Sequence, residues 1–171
     1  MDWWLLGLRI VHVGSAMVWF GWAIIGGFFL SPTATALGDS AQPFMDHLMR
    51  RRRMGVMFPV VAALTVLAGA LLYWRDSGGL QSAWITSPTG LAYTIGGAAA
   101  IVSFVLGFIL VAPSIAEQSA VRNELVASGG VTTQAQHERL RHADRLMRLA
   151  GRVDLPLILV AGLTMATARY M

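Results

Sequence analysis

The sequence predicts an all-α integral membrane protein. Its single domain, residues 1–171, is a four-helix bundle with a cytoplasmic helical extension before the second and fourth helices. Hydrophobic residues make up 56% of the chain and charged residues only 13%, whereas a typical soluble domain has about 25% charged residues. The mean hydropathy is +0.60. Four stretches also approach the roughly 20 apolar residues that a helix needs to cross a bilayer core.

The predicted membrane helices cover residues 3–30, 54–74, 91–111 and 153–169. The second and third contain no charged residue, whereas the first contains Arg9 and His12. The fourth is the shortest and has Asp154 and Pro156 near its start, where proline is tolerated because its missing N–H needs no partner. The first helix is too long for a signal peptide, and it opens with the Trp3-Trp4 pair, which is typical of a membrane interface rather than of a basic leader.

Arginine residues concentrate in two of the three predicted connections. The first connection, 31–53, ends in a run of four arginines, and the third, 113–152, contains six, whereas the second contains one. Since two helices separate the arginine-rich connections, both must lie on the same side, and the positive-inside rule assigns that side to the cytoplasm. We therefore predict a multi-pass protein of the cell inner membrane, with both termini outside, in the periplasm.

Two polar segments are predicted to extend the helices into the cytoplasm. Residues 44–57 are expected to form a helical start to the second helix. In the third connection, Ser128-Gly129-Gly130 breaks the chain, and residues 131–150 then repeat apolar positions at helical spacing. This helix either continues into the fourth membrane helix or lies on the membrane surface as an arginine-rich amphipathic helix.

Small residues on the predicted helices indicate close packing. Gly7, Gly14 and Gly21, for example, recur every seven residues near one face of the first helix. Lipid supplies no hydrophobic drive between helices, so small residues that let backbones approach favour association. The same faces would leave room for a flat cofactor, and they favour a homo-oligomer or a subunit of a larger membrane complex.

The composition excludes several kinds of chemistry. The chain has no cysteine, which excludes disulfides and thiolate metal sites. It also has no lysine, so its thirteen cationic side chains are all arginine and Schiff-base chemistry is excluded. The net charge of +4 would suit phosphate partners in a soluble protein, but in so apolar a chain it reports topology, and we expect no nucleic-acid partner.

His12 is the strongest candidate for a functional residue, because it lies deep within a membrane helix and neutral imidazole is the commonest protein metal ligand. Helical spacing places Arg9, His12, Ser15, Ala16 and Trp19 on one face. A haem bound through His12 could direct its propionates to Arg9, because arginine pairs well with carboxylates. The alternative is that His12 makes an interhelical hydrogen bond while Arg9 reaches to headgroups.

Other candidates are weaker. Met165 is expected near the depth of His12 and could be a second axial ligand. Nine methionines would suit Cu(I), but no Met-x-x-x-Met run lies in the outer half of a membrane helix. His47, His137 and His142 fall in polar segments and are expected to be solvated or interfacial. Asp154 is expected to form an ion pair with the arginine run of the first connection.

Several short motifs, in order along the chain, carry a family resemblance. They are Leu8-Arg9-Ile10-Val11-His12-Val13, Val18-Trp19-Phe20-Gly21, Met57-Phe58-Pro59 and Arg152-Val153-Asp154-Leu155-Pro156. This pattern resembles the HemJ-type protoporphyrinogen oxidases and their small four-helix relatives, which include CopD-like membrane proteins. The resemblance covers most of the chain.

The resemblance implies that His12 binds a b-type haem (haem b, iron) in a membrane oxidoreductase or electron carrier that acts on a quinone or a tetrapyrrole. The family's lysine near the start of the third helix has no counterpart; the region reads Pro88-Thr89-Gly90-Leu91-Ala92-Tyr93, and Tyr93 is a candidate cofactor contact. The missing lysine leaves open whether the chain is an enzyme. The alternatives are a non-catalytic subunit or scaffold of a larger membrane complex and, less favoured, a copper-handling transporter.

Overall fold

The computed structural model describes residues 2–130 and 132–171, which are almost entirely helical and contain no strand. Four helices in this part of the chain are long and apolar enough to cross a membrane, and they cover Trp3–Leu37, Met54–Asp76, Pro88–Ala127 and Gln134–Tyr170. The all-α class and the presence of four helices long and apolar enough to cross a membrane are therefore confirmed.

These long helices are built from shorter elements. The α-helices are α1 (Trp3–Ile25), α2 (Ser31–Leu37), α3 (Gln42–Asp46), α4 (Met54–Asp76), α5 (Ser82–Ile85), α6 (Pro88–Leu106), α7 (Ala112–Ala127) and α8 (Gln134–Thr167). π-helical turns occupy Gly26–Leu30, His47–Arg51 and Gly107–Val111, and 3₁₀ turns occupy Gly38–Ala41 and Ala168–Tyr170. All the long helices except α4 thus contain a π-helical or 3₁₀ turn.

The bundle is assembled from two main helix pairs. α1 packs on α4 and α6 packs on α8, while contacts of α4 with α6 and of α1 with α8 close the ring. The buried residues between α6 and α8 are small: Ala99, Ala100 and Ala161. A Cβ built at Gly96 would lie only 2.6 Å from Thr164 Oγ1. These two helices therefore associate through close backbone approach, as expected where lipid supplies no hydrophobic drive.

Two prolines that were predicted to lie in connections are instead accommodated within helices. The third long helix does not end at Val111 but continues through Pro113 to Ala127. Proline lacks an N–H and its ring clashes with the carbonyl one turn earlier. A π-helical turn immediately precedes the helical segment that contains Pro113, and another does so for Pro32. The changed hydrogen-bond register lets each helix continue past its proline.

The predicted chain break before the last helix is confirmed, since Gly129 and Gly130 have φ values of +77° and +90°. α8 begins just after Thr133, whose side chain accepts a hydrogen bond from Gln136 N in a capping box. The helix then runs without interruption through Pro156 to Thr167. Of the two alternatives for this segment, continuation into the fourth membrane helix is correct.

The extension before the second membrane helix is helical but not continuous with it. α3 and the π-helical turn after it end at Arg51, and Arg53 has a left-handed backbone with φ 56°. α4 then starts anew at Met54, and Arg53 O accepts hydrogen bonds from Val56 N and Met57 N. The prediction of a single helical start over residues 44–57 is wrong, because the left-handed residue interrupts the helix.

Helices α2, α3, α7 and the first half of α8 form one end of the molecule, which we call the polar end. Arg139 of α8 pairs with Glu117 and, at 2.9 Å, with Glu124 of α7. Arg122 of α7 pairs with Asp46 of α3. These pairs hold the extensions together beyond the apolar stretches. The cytoplasmic location of the polar end stays a prediction.

Most of the apolar surface of the long helices is exposed in the isolated chain. None of the residues of α1 is buried, and Met17, for example, is 71% exposed. A Cβ built at Gly7, Gly14 or Gly21 would meet nothing within 4 Å. These glycines therefore do not serve packing within the chain, and the side of α1 that carries them faces outward.

Candidate cofactor site around His12

The His12 ring lies against α4 and makes an interhelical hydrogen bond. Its Nδ1 is 2.8 Å from the backbone oxygen of Thr65. A carbonyl oxygen can only accept, so Nδ1 carries the proton and donates it. In the neutral ring, Nε2 is then unprotonated and keeps a free lone pair. The sequence analysis left open that His12 makes an interhelical hydrogen bond instead of binding haem. This hydrogen bond is present, but it uses only one of the two ring nitrogens.

The second nitrogen of the half-buried ring makes no hydrogen bond within the described chain. Within residues 2–130 and 132–171, Nε2 of His12 has no hydrogen-bond partner, and no buried polar side-chain atom lacks one. Nε2 is therefore not completely enclosed by the chain. Such an atom can accept a hydrogen bond or coordinate a metal.

Gly69 makes the approach of the ring possible. A Cβ at this position would lie 2.7 Å from His12 Cε1 and 3.0 Å from Nδ1, which is closer than real side chains pack. Gly69 and Thr65 are one helical turn apart on α4, so the same face supplies both the acceptor and the space. The sequence analysis missed both residues as parts of the site. The available signal was a threonine and a glycine spaced by four in an uncharged membrane helix.

Two hydroxyl groups complete the polar contact between α1 and α4. Thr65 is buried, and its Oγ1 donates to Ser15 Oγ at 2.8 Å. Ser15 Oγ in turn lies 2.6 Å from the backbone oxygen of Val11. These bonds fix the helix pair in register around the imidazole, so the orientation of His12 is set by main-chain and side-chain contacts together.

Three arginines lie towards the end of the bundle opposite to the polar end, and they have different partners. Arg75 pairs with Asp2 at 2.9 Å, and Arg169 lies 4.6 Å from the ring of Tyr170. Arg9 is exposed and, among the described residues, makes no ion pair. It lies one turn from His12 on α1, towards the chain's start. Arg9 is thus the better placed of these cations to meet an anionic group next to His12.

The structure places Trp19 and Met165 in a different interface. Trp19 packs edge-to-face on Phe104 of α6, with ring centroids 6.5 Å apart. Met165 of α8 packs against α6, where its Cγ would lie 3.0 Å from a Cβ built at Gly96. The His12 ring instead faces α4. In the described contacts, neither residue meets the imidazole, and a role of Met165 as second ligand stays a prediction.

Tyr93 belongs to an aromatic cluster at the end opposite to the polar end. Its ring is parallel to that of Trp84, with centroids 6.2 Å apart, and Trp84 packs edge-to-face on Tyr73 at 5.3 Å. The Tyr73 hydroxyl is 2.6 Å from Thr94 Oγ1. Since Tyr73 is one turn beyond Gly69 on α4, this cluster borders the His12 site without entering it.

Asp154 is a half-buried carboxylate in the apolar part of α8. In the described part of the chain its polar partner is the hydroxyl of Ser103 on α6, a buried residue, rather than an arginine. Among the described side chains, the expected ion pair of Asp154 with Arg51, Arg52 or Arg53 is not observed, because uninterrupted α8 turns Asp154 towards α6; the side chain of Arg50 lies outside the described ones. This carboxylate contributes to the α6–α8 interface and not to the site around His12.

The donor set around His12 fits a cofactor that needs one protein ligand. The described residues contain no group of three or more histidines and carboxylates that could hold a bare metal ion. Haem iron needs fewer protein ligands, because the porphyrin supplies four nitrogens and a histidine can bind axially. His12 lines neither the groove along α8 nor the groove around α2 and α3, so a haem held by His12 would lie outside both.

Comparisons with protein-family models, with curated proteins and with solved structures find no match to this chain. The resemblance to HemJ-type proteins therefore stays a prediction. The geometry around His12 is the basis on which a function can be proposed.

Proposed function

We propose that the chain is an integral membrane protein that binds b-type haem through His12 Nε2 and transfers electrons to or from a quinone or a tetrapyrrole. The observation that carries the proposal is the hydrogen bond from His12 Nδ1 to the Thr65 carbonyl. Metal-ligating histidines typically donate their other ring N–H to a carbonyl or carboxylate, which fixes the tautomer and raises the basicity of the ligand atom.

Each residue of the site has a distinct role in this proposal. His12 supplies the axial nitrogen, the Thr65 carbonyl orients the ring, and Gly69 leaves the space that the ring occupies. Arg9 offers an exposed guanidinium for a propionate. When bound, haem would supply one-electron redox chemistry. Because the chain has no lysine where HemJ-type proteins have theirs, the proposal stops short of protoporphyrinogen oxidation.

The orientation in the membrane is part of the proposal. The positive-inside rule places the polar end in the cytoplasm and both termini in the periplasm. His12 is nine residues from Trp3, about 14 Å along the helix, and so lies nearer the periplasmic surface. Because the chain has no cysteine, single variants Ser40→Cys and Ser82→Cys can be labelled in intact cells with an impermeant maleimide. Only Ser82→Cys should react, and labelling of Ser40→Cys alone would reverse the orientation.

A haem titration tests the function. Haem is added to the haem-free, detergent-purified protein, and the Soret band is followed for wild type, His12→Ala and His47→Ala. His47 is an exposed histidine of the polar end and is the matched control. Wild type and His47→Ala should saturate at one haem per chain, and His12→Ala should not saturate. Equal curves for all three proteins would remove His12 from the site and the proposal with it.

A second candidate function is that of a non-catalytic subunit in a larger membrane complex or homo-oligomer. The absence of buried residues in α1 favours it, because the other three membrane helices each bury several. Gentle extraction followed by size analysis distinguishes the candidates. A stoichiometric complex that forms without haem, and is lost in Gly14→Leu, would favour the subunit role.

A further inference from the structure

A stripe of exposed arginines runs along the outer side of α8 at the polar end. It consists of Arg141, Arg145, Arg148 and Arg152. With about 100° per residue, these four side chains leave the helix within about 60° of one another. Among the described residues none of the four makes an ion pair, whereas nearby Arg139 is paired with two glutamates. The stripe therefore carries positive charge that the described chain does not neutralise.

Most of the stripe borders a shallow, open depression of about 380 Å³ between side chains of α8 alone, which we call the arginine groove. Its lining residues are His142, Arg145, Leu146, Arg148, Leu149 and Arg152. Ala143 and Ala150 lie on the opposite side of α8, where they are 1% and 2% exposed. The groove thus lies on the outer surface of the protein, on the side of α8 that faces away from the bundle.

The outer side of α8 changes from charged to apolar at this groove. Leu149, Val153 and Leu163 are 51%, 40% and 64% exposed; Leu149 lies between Arg148 and Arg152, and the other two follow the arginines along the helix. Arg148 is twenty residues from Ala168 at the other end of the span, a distance of about 30 Å in a helix. In a hydrocarbon core about 30 Å thick, Arg148 and Arg145 then lie at the level of the lipid headgroups, and the long side chain of Arg152 extends towards them from just inside the core.

We propose that the arginine groove binds the phosphate headgroup of an anionic phospholipid, with the acyl chains lying along Leu149, Val153 and Leu163. Guanidinium groups match phosphate oxygens in charge and in bidentate geometry. Basic pockets at the membrane surface bind anionic headgroups in this way. The arginines match the phosphate headgroup of such a lipid, and the exposed apolar side chains match its acyl chains. Neither inorganic phosphate nor an acidic protein would contact both the arginines and the apolar side chains.

The test measures lipid retention by native mass spectrometry after detergent purification, with equal amounts of phosphatidylglycerol and phosphatidylcholine added. The groove variant is Arg145→Gln with Arg148→Gln. The control is Arg75→Gln with Arg169→Gln, which removes the same charge at the other end. Wild type and control should prefer phosphatidylglycerol, and the groove variant should lose about tenfold or more of that preference. Arg145→Glu is a second groove variant, which reverses one charge. The helical circular dichroism of every protein is compared, so that loss of lipid can be told from loss of folding.

Three outcomes would overturn the proposal. One is equal retention of the two lipids by wild type, and another is an equal loss of preference in the groove variant and the control. The third is displacement of phosphatidylglycerol by millimolar inorganic phosphate or by polyglutamate, which would assign the groove to a free anion or an acidic protein. In support, Leu149→Gln, which leaves every arginine in place, should weaken retention of phosphatidylglycerol. Because the arginine groove is lined by no residue of the His12 site, the result is independent of the proposed cofactor.

Discussion

The α1–α4 and α6–α8 interfaces hold the bundle together by different means. Between α6 and α8, small buried residues such as Ala99 and Ala161 bring the backbones close, and the described polar contact is a single hydrogen bond. Between α1 and α4, the His12 imidazole packs on Gly69 and the hydroxyl groups of Ser15 and Thr65 form a hydrogen bond. Moreover, α1 has no buried residue. The difference indicates that α6–α8 is the scaffold, while α1–α4 keeps a polar, half-open surface suited to a ligand.

The largest expected effect is on the scaffold side of this comparison. In Gly96→Ala, the new Cβ would clash with Thr164 Oγ1 at 2.6 Å and with Met165 Cγ at 3.0 Å. Overpacking of this kind costs about 1–3 kcal/mol. We expect the free energy of unfolding, measured by denaturant titration in mixed micelles, to fall by that amount. Gly97→Ala is the control, since its Cβ meets nothing within 4 Å. Equal stability of the two variants would contradict the close packing of α6 on α8.

The second prediction separates ligand binding from folding. In Gly69→Ala, the Cβ would occupy the position of the His12 ring and break its bond to Thr65 O. Haem affinity should fall about tenfold, the equivalent of one lost hydrogen bond of about 1.4 kcal/mol, while helicity is retained. Gly14→Ala, on the open side of α1, should bind haem as wild type does. Unchanged haem affinity in Gly69→Ala would show that the ring position is not needed for binding.

A smaller effect is expected at Asp154. Ser103→Ala removes the hydroxyl that donates to the carboxylate and should lower the free energy of unfolding by about 1 kcal/mol. Asp154→Asn keeps an acceptor for the same hydroxyl and should be close to wild type. A large loss in Asp154→Asn, with no loss in Ser103→Ala, would mean that the negative charge itself matters. Haem titration of both variants should be unchanged.

The smallest effect is a pH dependence at the polar end. Hydrogen bonds from Gln136 and then Arg139 lower the pKa of the Glu124 carboxyl below its ordinary value of 4.5. A carboxyl whose pKa is lower in the folded state contributes stability above its unfolded pKa, and loses it as the pH falls through the folded pKa. The protection of amide hydrogens from exchange at the end of α7 and the start of α8, corrected for the intrinsic pH dependence of exchange, should therefore fall below pH 4.5 in wild type. Glu124→Gln should show less of this change, and the effect stays small because the pair is exposed.

Much of the fold could be predicted from the sequence, because hydropathy and the placement of charge act locally. The starts of the first two membrane helices and the turn at Ser128-Gly129-Gly130 were found in this way. The continuation of the third helix through Pro113 was not, because proline usually ends a helix and nothing in the sequence announces a π-helical turn. The end of the third helix at Ala127 was missed for the same reason.

The site was only half predictable. The depth of His12 marked it as a candidate functional residue, but helical spacing alone could not say which helix its ring would face. Trp19 shares the predicted face of α1, yet its ring contacts α6, while the imidazole contacts α4. Thr65 enters the site through its backbone oxygen, which no side-chain pattern reveals. Pairing between helices is a long-range property, and it decides which residues meet.

The spectrum of the protein as isolated tests the central claim most directly. Protein is purified from membranes without added haem, and oxidised and dithionite-reduced absorption spectra are recorded for wild type and His12→Ala. Wild type should show a Soret band and sharp reduced α and β bands, and His12→Ala should show none of them. A wild type without a Soret band, even after growth with a haem precursor, would contradict the account and leave His12 as a residue that only joins α1 to α4.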